Sequence, residues 1–191
     1  MRIVAGKFRA KKLAPPTHNI RPTLDKVKQA LFTRLQFEIE GAVVLDLFSG
    51  SGALGIEAIS RGARQVIFCD VDEKSVALTK KNLSGLKIDA GQEVRVFKTD
   101  FLAYLRGAKT QFDIIILDPP YEKNFYVPAL EIIAQKKLLA PDGVIVCERL
   151  RAQEINQDFF ALDATKNYGT VALDYLVWKA ENCGKVDNFC G

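Results

Sequence analysis

The chain has 191 residues, 48% of them hydrophobic and 26% charged, with 27 Lys+Arg against 23 Asp+Glu and a formal net charge of +4. That length and balance belong to one soluble globular domain and exclude a disordered chain or a disulfide miniprotein. The longest aliphatic runs, such as Ile114 to Leu117, are far too short to span a bilayer, so no membrane association is expected.

The charge is uneven along the chain. The first 36 residues hold Arg2, Lys7, Arg9, Lys11, Lys12, Arg21, Lys26, Lys28 and Arg34 against the single acid Asp25, a net +8, and the remaining 155 residues carry −4. A basic leading segment on a near-neutral body points to a polyanion partner, with nucleic acid first. The opening residues lack the apolar stretch of a secretory signal; they are basic and acid-poor like a transit peptide but contain no Ser.

Residues 1–20 carry short strand-like pieces around Gly6 and end in Pro15-Pro16. Arg21-Pro22-Thr23 reads as a helix entry with Thr23 at the N-cap. Leu24, Val27, Leu31 and Leu35 then recur at helical spacing, which leaves Lys26, Lys28 and Arg34 for solvent. Val43–Leu47 reads as a buried strand, followed by a Gly-rich turn and a short helix ending near Gly62. Strands over Gln65–Cys69, Val94–Lys98, Ile114–Leu117 and Val144–Cys147 alternate with helices over Glu73–Leu83 and residues 126–137. Continuous apolar strands between helices predict a parallel sheet covered on both faces. Residues 159–178 read as two strands hinged at Asn167-Tyr168-Gly169, an antiparallel edge pair. The domain boundaries expected are a basic strand/helix appendage over 1–36, the main domain over 37–180 and a polar tail over 181–191.

The four cysteines, Cys69, Cys147, Cys183 and Cys190, form no C-x-x-C pair, and His18 is the sole histidine. No metal centre is expected from that set. Cys69 and Cys147 lie in apolar runs and read as buried thiols, and a reduced, cytoplasmic protein is expected.

The first strand ends in Asp46-Leu47-Phe48-Ser49-Gly50-Ser51-Gly52-Ala53-Leu54-Gly55. Gly50-x-Gly52-x-x-Gly55, with Asp70 about 20 residues on, satisfies the dinucleotide fingerprint. Asp46 argues against a dinucleotide, because an anion beside the glycine turn repels a pyrophosphate and attracts the ammonium and sulfonium of S-adenosylmethionine. Asp70, ending the second strand, would accept hydrogen bonds from both ribose hydroxyls.

The fourth strand ends in Asp118-Pro119-Pro120-Tyr121. The prolines fix the loop and remove two N–H donors, leaving carbonyls as acceptors, and Tyr121 offers a flat face to a base. Asp118 and the Pro119 carbonyl would accept from an exocyclic amine and orient its lone pair for in-line attack on a sulfonium methyl. A cytosine-C5 enzyme would instead need a Cys nucleophile, and Cys147 is the only candidate.

Together, D-x-F-x-G-x-G, the acids Asp70 and Asp100 after strands two and three, and Asp-Pro-Pro-Tyr resemble a class I S-adenosylmethionine-dependent methyltransferase over residues 41–178. The resemblance implies a Rossmann-like α/β fold with a seven-stranded sheet of order 3-2-1-4-5-7-6, strand seven antiparallel. It places Asp46, Phe48, Gly50, Gly52, Asp70, Asp100 and Phe101 at the cofactor, with Asp100 on the adenine amino group. The leading segment, with Arg2–Arg9, Lys11-Lys12, Arg21-Pro22-Thr23 and Lys26–Phe32, is similar to the bacterial 16S rRNA guanine-N2 methyltransferase family, except that Lys28 stands where an arginine is expected. That similarity implies a monomeric enzyme acting on 16S rRNA or the small ribosomal subunit. It assigns Asp118, Pro119, Pro120 and Tyr121 to catalysis, and Arg2, Lys7, Arg9, Lys11, Lys12, Arg21, Lys26 and Lys28 to RNA. Amino-methylation of DNA adenine or of a protein glutamine stays open as the alternative.

Overall fold

Valine and isoleucine dominate the strands that form the centre of the molecule, and their alternate side chains supply two separate cores. In the computed structural model, which describes residues 1–16, 25–89, 91, 93–120 and 124–180, β1 (Val43–Asp46), β2 (Gln65–Asp70), β3 (Val94–Lys98), β4 (Phe112–Leu117) and β5 (Leu139–Leu150) are parallel. β7 (Val171–Trp178) runs antiparallel to β5 and to β6 (Phe160–Tyr168). The order is β3-β2-β1-β4-β5-β7-β6, the one the resemblance implied.

Successive strand residues point to opposite faces. Val44, Val66, Ile114, Ile116 and Val146 face one core, closed by Leu31 and Phe32 of α1 (Asp25–Arg34), Leu54 and Ile56 of α2 (Ala53–Ser60), and Leu83 of α3 (Glu73–Gly85). Leu45, Ile67, Ile115, Leu117 and Ile145 face the other, closed by Leu105 of α4 (Phe101–Gly107) and Leu130 and Ile133 of α5 (Tyr126–Gln135). Helix α4 was not foreseen, because seven residues are too few to establish a helical period. Its one local signal is Asp100, whose carboxylate accepts the Leu102 and Ala103 amides as an N-cap.

The leading segment is built into the body. Arg2 and Lys12 pair antiparallel, and Ile3 and Leu13 are buried in the first core. Gly6 turns with φ +81° against α2, where a Cβ would stand 1.8 Å from the Ser60 carbonyl oxygen. The Lys7 amide donates to that oxygen at 2.7 Å. Arg34 is exposed, as expected, and pairs on the surface with Asp163 of β6 at 2.8 Å and with Glu38 at 2.8 Å. Among the described residues no helix is long and apolar enough to cross a membrane.

Candidate active site

A parallel sheet opens a crevice where neighbouring strands send their connections to opposite faces. Here that point lies between β1, followed by α2 on one face, and β4, followed by α5 on the other. The glycine loop leaves the end of β1 and Asp118-Pro119-Pro120 leaves the end of β4. The two strand ends are stitched together by the Leu47 amide, which donates to the Ile116 carbonyl at 3.1 Å. Asp118 is half-buried, Pro119 buried and Pro120 exposed. Tyr121 lies outside the described residues.

The glycine loop is held from four sides. Gly52, with φ +75°, precedes α2, and a Cβ there would meet Thr79 Cγ2 at 2.9 Å. Thr79 Oγ1 donates to the Gly50 carbonyl at 3.0 Å, and Asn82 Nδ2 donates to the Ser51 carbonyl at 2.9 Å. Asp70 Oδ2 accepts the Gly50 amide at 2.8 Å, and Asp46 Oδ2 accepts the Gly55 amide at 2.9 Å. Thr79 and Asn82 are loop-holding positions that sequence reading missed. They lie nine and twelve residues beyond Asp70, and only their shared helical face links them.

Three acids end three adjacent strands. Asp46 is 2% exposed, and burial, with a smaller push from the charge of Asp70, drives its carboxyl up to about 7 despite the Gly55 amide. Asp70 is also raised, first by burial, against the opposing pull of the Asp72 and Gly50 amides. Asp100 follows β3 and, as the cap of α4, holds both amides on Oδ1. A buried and a half-buried carboxylate that repel each other beside a glycine turn suit a cationic ligand, whose charge would repay their desolvation. The donor set therefore fits the ammonium and sulfonium of S-adenosylmethionine better than a pyrophosphate. Val71, next to Asp70, is an aliphatic side chain left 68% exposed at this edge.

Phe48 and Phe101 meet with ring centroids 5.1 Å apart, and both pack on Phe125 at 5.7 and 5.1 Å. This aromatic group ties the loops after β1, β3 and β4 together. Tyr126 Oη donates to the Glu148 carbonyl, which fixes the start of α5 to the end of β5. Cys147 is buried within the sheet, and burial first, then the charge of Asp174, pushes its thiol up. Such a thiol stays protonated and is no nucleophile. A cavity of about 540 Å³ lined by Lys7, Phe8, Arg64 and Lys87 lies at the opposite edge, where β2 and β3 begin, away from these groups.

Of the basic residues read as RNA contacts, Arg2, Lys7, Arg9, Lys11, Lys12 and Lys26 are exposed, and Arg21 lies outside the described residues. Arg2 also pairs with Asp25 at 3.3 Å. Lys28 is corrected: its side chain is fully buried, with Nζ donating to the Arg2 carbonyl at 2.5 Å and lying 3.4 Å from the Glu57 carboxylate. The helical period placed it one step from Val27, and the docked leading segment covers that step.

A protein-family model described as conserved hypothetical protein 95 matches residues 1–177. The chain is 36% identical over 151 residues to the ribosomal RNA small subunit methyltransferase D of Haemophilus influenzae, covering 78% of each chain. It is 34% identical over 149 residues to that of Escherichia coli, covering 78% of this chain and 74% of the other. Among solved structures, the Escherichia coli protein YhhF superposes with a TM-score of 0.82 at 32% identity, covering 94% of this chain and 98% of the other.

Proposed function

The chain belongs to the conserved hypothetical protein 95 family, and from that membership and the geometry of the crevice we propose that it is an S-adenosylmethionine-dependent rRNA methyltransferase that methylates the exocyclic N2 amine of a guanine in 16S rRNA. The observation that carries the reading is the juxtaposition of the Asp46–Gly55 loop and Asp118-Pro119-Pro120 on the bonded ends of β1 and β4.

When bound, S-adenosylmethionine supplies an electrophilic methyl on a sulfonium sulfur. Asp46 and Asp70 provide the negative charge that favours this cation, and the Asp70 carboxylate has lone pairs left for ribose hydroxyls beside the amides it already holds. Gly50 and Gly52 leave the backbone open to close approach. Phe48 and Phe101 wall the site, and Asp100 stands at the end of β3 for an adenine amine. Asp118 and the Pro119 carbonyl accept the two N–H groups of the target amine. That directs the lone pair of a poorly nucleophilic, ring-conjugated nitrogen along the line of attack. As nitrogen gains positive charge, the Asp118 carboxylate stabilises it and accepts the proton released. Tyr121 would stack on the base.

Arg2, Lys7, Arg9, Lys11, Lys12, Arg21 and Lys26 would follow RNA phosphates. A base reached by this crevice has to leave its stack, so an unpaired loop is the expected target. The buried, protonated Cys147 supports attack by nitrogen over C5 chemistry. The test is transfer of labelled methyl to deproteinised rRNA, small subunits, ribosomal protein and DNA, with nucleoside mass spectrometry. N2-methylguanosine in rRNA is expected; labelled DNA adenine or glutamine alone would replace the substrate assigned here.

A further inference from the structure

Asn82 is 5% exposed, and it is a side chain through which two distant stretches of backbone are bound at once. Its Oδ1 accepts the Ala14 amide at 2.8 Å, and its Nδ2 donates to the Ser51 carbonyl at 2.9 Å and to the Ala14 carbonyl at 3.3 Å. Ala14 follows the basic residues of the arm, and Ser51 lies in the middle of the glycine loop. One amide group thus uses its acceptor and both donor directions to bolt the arm to the loop. An amide does this and a carboxylate does not, because two of the three partners are carbonyl oxygens that need a donor.

The two anchored stretches differ in how much else holds them. The glycine loop keeps the bonds from Asp70, Thr79 and Asp46 when Asn82 is lost. At Ala14 the arm has both of its backbone groups on Asn82, the nearest other anchor being the Leu13 amide on the Met1 carbonyl at 3.1 Å. The arm before it stays held by Glu57 on the Val4 and Ala5 amides, by Ser60 and by Lys28, so losing Asn82 should free the segment at Ala14 and leave both the rest of the arm and the loop in place.

We propose that Asn82 is a positioning residue that sets the end of the basic arm, next to Lys11 and Lys12, in register with the glycine loop, so that RNA held there brings its target amine to the methyl donor. The inference rests on the function proposed above. It is tested with the full chain by measuring S-adenosylhomocysteine affinity by calorimetry and rRNA KM and kcat by methyl transfer. Asn82→Ala should raise the KM for rRNA about tenfold, the effect of one to two net hydrogen bonds, and leave S-adenosylhomocysteine affinity within about threefold. Ala14→Pro removes the arm's N–H and spares the bond to Ser51, so it should raise the same KM by about threefold with no change in cofactor affinity. Because both variants cut one link, the double variant should be no worse than Asn82→Ala alone. An unchanged KM, a parallel loss of cofactor affinity, or additive effects would overturn the proposal. Should Asn82→Ala fail to fold, Ala14→Pro decides by the same two measurements. A wild-type protein that transfers no methyl to rRNA would instead sink the functional reading itself, and the register proposal with it.

Discussion

Lys28 Nζ lies 3.4 Å from the carboxylate of Glu57, and neither side chain has any exposed surface. Glu57 also accepts the Val4 and Ala5 amides at 2.8 and 2.9 Å and pairs with Arg61 at 2.9 Å. Burial lowers the affinity of Lys28 for its proton, and Glu57 acts against that. The pair thus joins α1, α2 and the leading segment in one buried polar junction.

Removing one member of such a pair strands the other. Lys28→Met should destabilise the fold by about 3 kcal/mol in urea titration. Pairing it with Glu57→Gln should recover part of that loss. A single variant within about 0.5 kcal/mol of wild type would mean that the junction contributes little.

Asp46 sets stability against binding. Burial pushes its carboxyl up to about 7 in the fold from an ordinary 3.8, so the folded state holds the extra proton between those values. Fold stability should therefore fall as pH rises from about 4 to about 7 and stay low above. Asp46→Asn keeps an acceptor for Gly55 and removes the buried charge. It should stabilise the unliganded protein at pH 8 by up to about 4 kcal/mol and weaken S-adenosylmethionine binding. In the wild type a cationic ligand favours the ionised carboxyl, so its affinity should fall by up to about tenfold per pH unit below 7. Calorimetry from acidic to mildly basic pH checks this, and a flat profile would remove Asp46 from the cofactor's charge partners.

The exposed cations of the arm should set the salt dependence of RNA binding. Replacing Lys7, Arg9, Lys11 and Lys12 together by Gln should lower the slope of log affinity against log salt by about 3, at roughly 0.7 per phosphate on a single strand. S-adenosylhomocysteine affinity should not move. An unchanged slope would make the arm a solubility feature.

Asp118→Ala should cut turnover by about 100-fold or more and leave cofactor affinity nearly intact, since its proposed role is to accept from the target amine. Cys147→Ser should retain methyl transfer. A dead Cys147→Ser enzyme yielding 5-methylcytidine with wild type would overturn nitrogen attack.

The order of the sheet followed from the family resemblance, whereas the sequence by itself determined the strands and the ends of β1 to β4 that carry Asp46, Asp70, Asp100 and Asp118. These features are written locally, in apolar runs, glycine turns and the proline pair, so neighbouring residues suffice to read them. Only the tertiary structure decided the fate of Lys28. Its position on α1 allowed solvent until the leading segment folded over it, a contact 26 residues away. It likewise decided that Asp46 and Asp70 bind loop amides, and that Thr79 and Asn82 hold the glycine loop. Those bonds join residues up to 31 positions apart. A Thr or an Asn on a helix carries no local mark of the backbone it will meet; packing of α3 against the loop and the arm supplies the partner.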